Sequence, residues 1–351
     1  MTTVGQLLMV GVEGTKVTHD LELFIKEMNV GGVILFSRNF KSPAQLASFI
    51  RYLNEVSESR LIIAVDQEGG RVARLGEPFT KLPPMSCLGR CQDEAEALAK
   101  QAGELLGQEL RAVGINLNFA PVLDVATNAF NPVIADRAFS SDPNIVAKLG
   151  CAFIRGIQSQ GIAACAKHFP GHGDTDKDSH LELPVLSHTR ARFDALEFIP
   201  FKAAIEAGVA SIMTSHLKIP NLDDAPVTIS RPITTGILRR ELNFDGLIFT
   251  DDLTMKGITS VCGPREAAWR AVASGADMAL VCHNRDAQRE ALEGLRQAVG
   301  EGLIPMGQLS KTLSRIAAFK EKYATADKAR FPISRIGCRE HRQIARSLES
   351  C

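Results

Sequence analysis

Short apolar runs alternate with amphipathic stretches along most of this chain. Eight runs stand out, at about Gln6 to Val12, Gly32 to Phe36, Leu61 to Val65, Ile115 to Ala120, Ile162 to Ala166, Ala210 to Thr214, Leu247 to Thr250 and Asp277 to Cys282. Each has the length and composition of a buried strand. Between most of them the apolar positions recur with helical spacing. Leu98, Ala102, Leu105, Leu106, Leu110 and Val113 fall along one helix face. Similar patterns predict helices near residues 43 to 56, 142 to 159, 190 to 207, 231 to 241, 264 to 274, 285 to 299 and 307 to 323. Apolar strands alternating with helices imply a parallel sheet covered by helices. Eight such units match an α/β fold of the (β/α)8 TIM-barrel type better than an open doubly wound sheet. No G-x-G-x-x-G follows the first strand to suggest a dinucleotide site. No linker or shift in composition cuts the chain. A single barrel domain is therefore expected over residues 1–325, followed by a polar, basic tail, 326–351, that either packs as a short helix or frays.

Charge narrows the partners. Lys+Arg and Asp+Glu both number 40 in 351 residues, so no basic excess draws the chain to nucleic acid or to an anionic membrane surface. The start lacks the basic flank and apolar run of a signal peptide, and no later stretch has the length of a membrane span, so a cytoplasmic protein is expected. Eight cysteines, at 87, 91, 151, 165, 262, 282, 338 and 351, are expected to be reduced, because a chain this long needs no staples. Cys87 and Cys91 lack a second Cys or His pair nearby to complete a zinc site.

In such a barrel, residues just past the C-terminal strand ends converge on one mouth. Those positions carry Ser37-Arg38, Asp66, Asp124, Lys167-His168, Ser215-His216, Asp251-Asp252 and His283-Asn284, a polar set that packing alone would not produce. The densest segment runs from Lys167 to His180. As a calcium loop it fails twice, with Ser179 at the turn glycine and Val185 at the distal glutamate. As a transition-metal site it offers His168, His172 and His180, but the first strand ends without the paired histidines of a barrel metallohydrolase. A third reading is a polar lid whose Gly171 and Gly173 permit movement. Within it, Asp178 and His180 are spaced to form a proton-transferring dyad, or His180 is simply an exposed loop histidine. Asp251, at the end of the seventh run, is placed to act as a nucleophile or charge stabiliser, with Asp252 the neighbouring alternative.

Three stretches together resemble the β-N-acetylhexosaminidases of glycoside hydrolase family three: Asp66 to Arg74 (DQEGGRVAR), Lys167 to Pro184, and Phe249 to Met255 (FTDDLTM). The similarity runs over about residues 5 to 320 and is nearest to the single-domain cytoplasmic enzymes of Gram-negative bacteria. The resemblance implies that Asp251 is a covalent nucleophile and that His180, oriented by Asp178, is the acid/base of a retaining mechanism. It places sugar binding on Asp66, Arg74, Arg137, Lys167 and His168, with no metal or organic cofactor. Arg137 lies in Asp136-Arg137-Ala138-Phe139, where Ala138 departs from the family's usual serine without touching the arginine. The implied role is cell-wall recycling by a monomer, and the implied substrate is N-acetylglucosamine joined to 1,6-anhydro-N-acetylmuramic acid, with or without peptide. The rival readings are a phosphorylase, a catalytically silent sugar-binding barrel, and a Schiff-base aldolase using Lys167, which would need a depressed lysine pKa.

Overall fold

The computed structural model describes residues 2–91, 93–325 and 331–350. Eight parallel strands close into a barrel: β1 (Leu8–Gly11), β2 (Gly32–Leu35), β3 (Ile62–Val65), β4 (Leu117–Asn118), β5 (Ala163–Phe169), β6 (Ser211–Thr214), β7 (Leu247–Asp252) and β8 (Met278–Val281). Each strand pairs with its neighbours in sequence. Leu8 opposite Ala279 and Met9 opposite Gly32 join β1 to both β8 and β2 and so close the ring. The expected TIM barrel is the observed fold.

Eight helices follow the strands in turn: α1 (His19–Met28), α2 (Pro43–Val56), α3 (Ala95–Val113), α4 (Pro143–Ser159), α5 (Phe198–Glu206), α6 (Pro232–Glu241), α7 (Pro264–Ser274) and α8 (Arg285–Gly300). Local chemistry sets their starts. Ser42 and Asp142 cap α2 and α4 by accepting from the amides of Gln45 and Asn144, and a proline follows each cap, where a missing N–H costs nothing. The predicted stripe of α3 is buried throughout, from Leu98 to Val113.

Three elements depart from the sequence pattern. The run from Gln6 forms a 3₁₀ turn, Thr2–Leu7, before the strand starts at Leu8. The fourth strand shrinks to Leu117–Asn118, because Pro121 cannot donate to a ladder and the Asn118 side chain takes over, bonding the amide and carbonyl of Gln67. The helix expected over 190 to 207 is two helices, Arg190–Ala195 and α5. Pro200 falls in the first turn of α5, which it tolerates, and would have broken a continuous helix. Helix α6 is wound in the wider π form.

After α8, α9 (Met306–Tyr323) packs across the barrel, and α10 (Arg339–Glu349) lies on α3 with His341, Ala345 and Leu348 buried. Part of the expected tail, residues 326–330 and 351, lies outside the described residues. The expectation of wholly reduced cysteines is corrected at Cys91, which is disulfide-bonded, whereas Cys87, Cys151, Cys165, Cys262, Cys282 and Cys338 are free. Chain length governs whether a protein needs a crosslink, not whether two thiols meet in the fold. No helix among the described residues is long and apolar enough to cross a membrane.

Candidate active site

The C-terminal strand ends open on a cleft of about 420 Å³ with a partly apolar lining from Ile34, Phe119, Met213 and Leu280. The eight residues to which the resemblance gave a role all line it, namely Asp66, Arg74, Arg137, Lys167, His168, Asp178, His180 and Asp251, whereas Ser37, Arg38, Asp124, Ser215, His216 and Asn284, also expected at the mouth, do not. The eight come from different strand ends and loops, the arrangement by which a barrel assembles a site from distant sequence positions.

Two strand irregularities aim the polar groups. Lys167 and His168 belong to β5 itself, correcting the expectation that the strand stops at Ala166. Alternating side chains would send one of them outward. Between Ala166 and Phe169, however, β5 carries one more residue than the facing segment of β6, and both side chains line the cleft. The same shift occurs between Phe249 and Asp252 of β7 against β8, and there Asp251 and Asp252 both reach the cleft.

A compact charge cluster forms one wall. The Lys167 ammonium donates to Asp66 at 2.7 Å and meets Glu68 at 2.6 Å, and Arg137 grips Glu68 through two bonds of 2.8 Å. Arg74 stands 3.8 Å from the other oxygen of Asp66. Burial alone would raise the Glu68 carboxyl, but Arg137 and Lys167 outweigh it and hold the group far below the usual carboxylate range. Burial would likewise deprotonate Lys167, yet Asp66 and Glu68 push its pKa above the ordinary lysine value. A lysine so held is a poor Schiff-base nucleophile, which counts against the aldolase reading.

His168 is fixed by Asp124, whose Oδ2 lies 2.7 Å from Nδ1 and whose oxygens also accept the amides of His168 and His172. His172 is buried with its Nδ1 2.8 Å from the Thr175 hydroxyl, and burial pushes its pKa down to about 4. The three histidines considered as metal ligands thus face separate partners: Asp124 for His168, Thr175 for His172 and Asp178 for His180. Among the described residues no group of three His, Cys, Asp or Glu side chains gathers as a metal site would require. Gly171 adopts a φ of 137°, a backbone conformation that favours glycine as expected, whereas Gly173 owes its place to close packing alone. A β-carbon on Gly171 would stand 2.8 Å from the Glu197 side chain, and one on Gly173 only 1.8 Å from the Val125 carbonyl.

Farther along the loop, Asp178 and His180 do form a dyad. Asp178 Oδ1 lies 2.7 Å from His180 Nδ1 and accepts the His180 amide at 2.8 Å. Partial burial would raise the Asp178 carboxyl, but these bonds from His180 hold it below its ordinary range. The His180 ring itself is exposed at the cleft, free to meet a substrate.

Asp251 and Asp252, left open as alternatives by the sequence, differ in what occupies them. Asp252 accepts from the Thr254 amide and hydroxyl and from the Cys282 amide. Asp251 accepts through Oδ1 from the Asp252 amide, with no further bond to its carboxylate among the described residues. Burial would raise its pKa, but His216 and His168 more than compensate and hold the carboxyl below its ordinary range. The site therefore offers a free carboxylate, a carboxylate-backed imidazole and a rigid charged wall with donors and acceptors for hydroxyl groups. Two anchoring residues escaped the sequence reading. Glu68 sits inside the Asp66 to Arg74 stretch, and Asp124 was seen only as a polar strand end; no sequence signal revealed what either would hold.

Residues 2–319 match the model for the glycosyl hydrolase family 3 N terminal domain. The chain belongs to glycoside hydrolase family 3. A β-hexosaminidase of Thiobacillus denitrificans is 43% identical over 292 residues, covering 82% of this chain and 81% of that one. Among solved structures, a family 3 β-N-acetylglucosaminidase from Paenibacillus superposes with a TM-score of 0.93 at 39% identity, covering 99% of this chain and 67% of that one. NagZ from Neisseria gonorrhoeae, in complex with N-trifluoroacetyl-D-glucosamine, gives a TM-score of 0.85 at 32% identity, with 98% and 97% covered. The family 3 match takes in every residue of the cleft described above.

Proposed function

We propose that this β-N-acetylhexosaminidase removes terminal N-acetylglucosamine by a retaining double displacement. Asp251 attacks the anomeric carbon as the glycosidic C–O bond breaks, and protonated His180 delivers its proton to the departing oxygen. His180, now neutral, takes a proton from water as that water opens the glycosyl ester, which frees the sugar and returns the Asp251 carboxylate. Asp178 holds the imidazole and offsets its positive charge in the protonated state. Asp66, Arg74, Arg137, Lys167 and His168 orient the hydroxyl and acetamido groups of the sugar.

The observation that carries this reading is the convergence of the open Asp251 carboxylate and the Asp178–His180 pair on one cleft, 2.7 Å apart within the dyad. The natural substrate on this reading is N-acetylglucosamine linked to 1,6-anhydro-N-acetylmuramic acid, with or without its peptide, consumed by a cytoplasmic monomer in peptidoglycan recycling. The test is release of 4-nitrophenol from its β-N-acetylglucosaminide and its β-glucoside, with and without phosphate, by wild type and Asp251→Ala. Turnover of the N-acetylated substrate alone, indifferent to phosphate and lost in the mutant, is expected. Phosphate-dependent formation of a sugar 1-phosphate would replace hydrolysis by phosphorolysis, and full activity in Asp251→Ala would remove the nucleophile assignment. Cleavage of the anhydro-disaccharide, followed by mass spectrometry, tests the natural substrate.

A further inference from the structure

The loop after β5 is held very unevenly. Its first part is bolted to the segment following β4: Asn131 donates to the His172 carbonyl at 2.8 Å, Asn128 to the Thr175 carbonyl at 3.0 Å, and Thr127 to Asp174 at 2.6 Å. The part that carries the dyad, residues 176–183, has almost no such ties. Its Lys177–Glu182 and Asp178–His180 pairs are internal, as are the bonds from the Leu181 and Glu182 amides to the Asp178 carbonyl. Asp178 is half-buried and His180 exposed, whereas Ser179 between them is only 2% exposed. The Ser179 hydroxyl lies 3.2 Å from Nε2 of the buried, neutral His172, and its carbonyl accepts the Gly257 amide at 2.9 Å. Among the described residues, these are the hydrogen bonds that join 176–183 to the rest of the protein.

We infer that Ser179 is the positioning residue for the acid/base: a peg, seated on His172 and Gly257, that sets where His180 stands over the cleft. The seat has been cleared for it. A β-carbon on Gly257 would come within 2.9 Å of the Ser179 carbonyl and of the His216 side chain. Because Asp178 and His180 flank the peg, its hydroxyl bond orients both members of the dyad at once. Ser179 acts only through His180, so the inference rests on the acid/base role proposed above. A peg of this kind affects proton delivery and leaves sugar binding and the nucleophile alone.

The test compares kcat/KM, which reports formation of the glycosyl-enzyme, for N,N′-diacetylchitobiose and for the 2,4-dinitrophenyl β-N-acetylglucosaminide, whose leaving group needs no proton. The full-length proteins are wild type, Ser179→Ala, His180→Ala and the double variant. Ser179→Ala keeps the carbonyl bond to Gly257 and removes only the hydroxyl. It is expected to lose about tenfold or more on the disaccharide, a part of the ~10²–10⁴-fold that a general acid supplies, and almost nothing on the activated substrate. In the His180→Ala background it should add no further loss, since the group it positions is gone. Equal losses on both substrates, a further loss in the double variant, or unchanged disaccharide turnover would each overturn the peg. A leaving-group-selective His180→Ala beside an unselective Ser179→Ala sinks the peg alone. An unselective His180→Ala sinks the acid/base role and the peg with it.

Discussion

At the scale of single residues, this site depends on carboxylates that never meet the substrate as reactants. Glu68 is 3% exposed and answers both Arg137 and Lys167. Removing its charge leaves the Lys167 and Arg137 cations with Asp66 and the more distant Asp124 as their acidic neighbours. Glu68→Gln is expected to lower kcat/KM on the 4-nitrophenyl substrate about a hundredfold through misplaced sugar contacts. It should also destabilise the fold by about 3–5 kcal/mol, the usual cost of breaking a buried pair from one side, measured by urea unfolding. Wild-type kinetics in a destabilised variant would confine Glu68 to folding. The reactive residues were legible in sequence because the stretches around Asp178, His180 and Asp251 are specific. The carboxylates behind them were not, since Glu68 and Asp124 gain their meaning from partners up to 99 and 48 positions away.

Elements, in turn, were legible wherever periodicity and caps agreed. α2, α4 and α7 fall almost where the pattern put them, with Ser42-Pro43, Asp142-Pro143 and Gly263-Pro264 at their starts. Strand ends were less so. The added residues in β5 and β7 depend on the register of the facing strand, which no window of local sequence contains. Helix approach is similarly a property of pairs. Helices α3 and α4 pack closely because a β-carbon on Gly103 would stand 2.4 Å from the Phe153 carbonyl, and one on Gly156 would stand 2.2 Å from the Lys100 carbonyl. Gly156→Ala should therefore destabilise by about 1–3 kcal/mol through overpacking, although alanine is the better helix former. A raised urea midpoint would show that the helices can part without penalty. Its kcat/KM should stay near wild type, because neither α3 nor α4 supplies a residue to the cleft.

For the molecule as a whole, buried ionisable groups set the response to pH. Glu68, Asp124, Asp178 and Asp251 all have folded pKa values below their ordinary ones. Each stabilises the fold above the ordinary carboxylate range and loses that contribution as pH falls through it toward the lower folded value. His172 acts in the same direction at higher pH. Its folded pKa, near 4, lies below the ordinary 6.5, so its share is fully present above 6.5 and drains away as pH falls to 4. Urea midpoints should fall across that window, and His172→Gln should flatten the fall there while leaving the steeper loss below it. An unchanged slope in the variant would mean that another group governs the window. The far end of the chain contributes separately. Glu109, fully buried in α3, accepts from Thr80, the Gly337 amide and His341. Truncation after residue 330 strips two of those partners and uncovers the face on which Leu348 packs. It should lower stability by several kcal/mol, by order of magnitude for an underpaired buried carboxylate, and spare kcat/KM.

The sequence by itself determined the alternation of strand and helix, and with it the barrel and the face on which its chemistry collects. Hydrophobic period and strand count are local properties that add up to a closed parallel sheet. Its three specific stretches also named the family to which the chain belongs. Tertiary structure alone decided which of two adjacent aspartates keeps a free oxygen, which strand bulges turn neighbouring side chains into one cleft, and which buried partners hold Arg137, Lys167 and His168 still. Those outcomes depend on register, burial and charge pairing between segments far apart in the chain, and such quantities exist only once the barrel has closed.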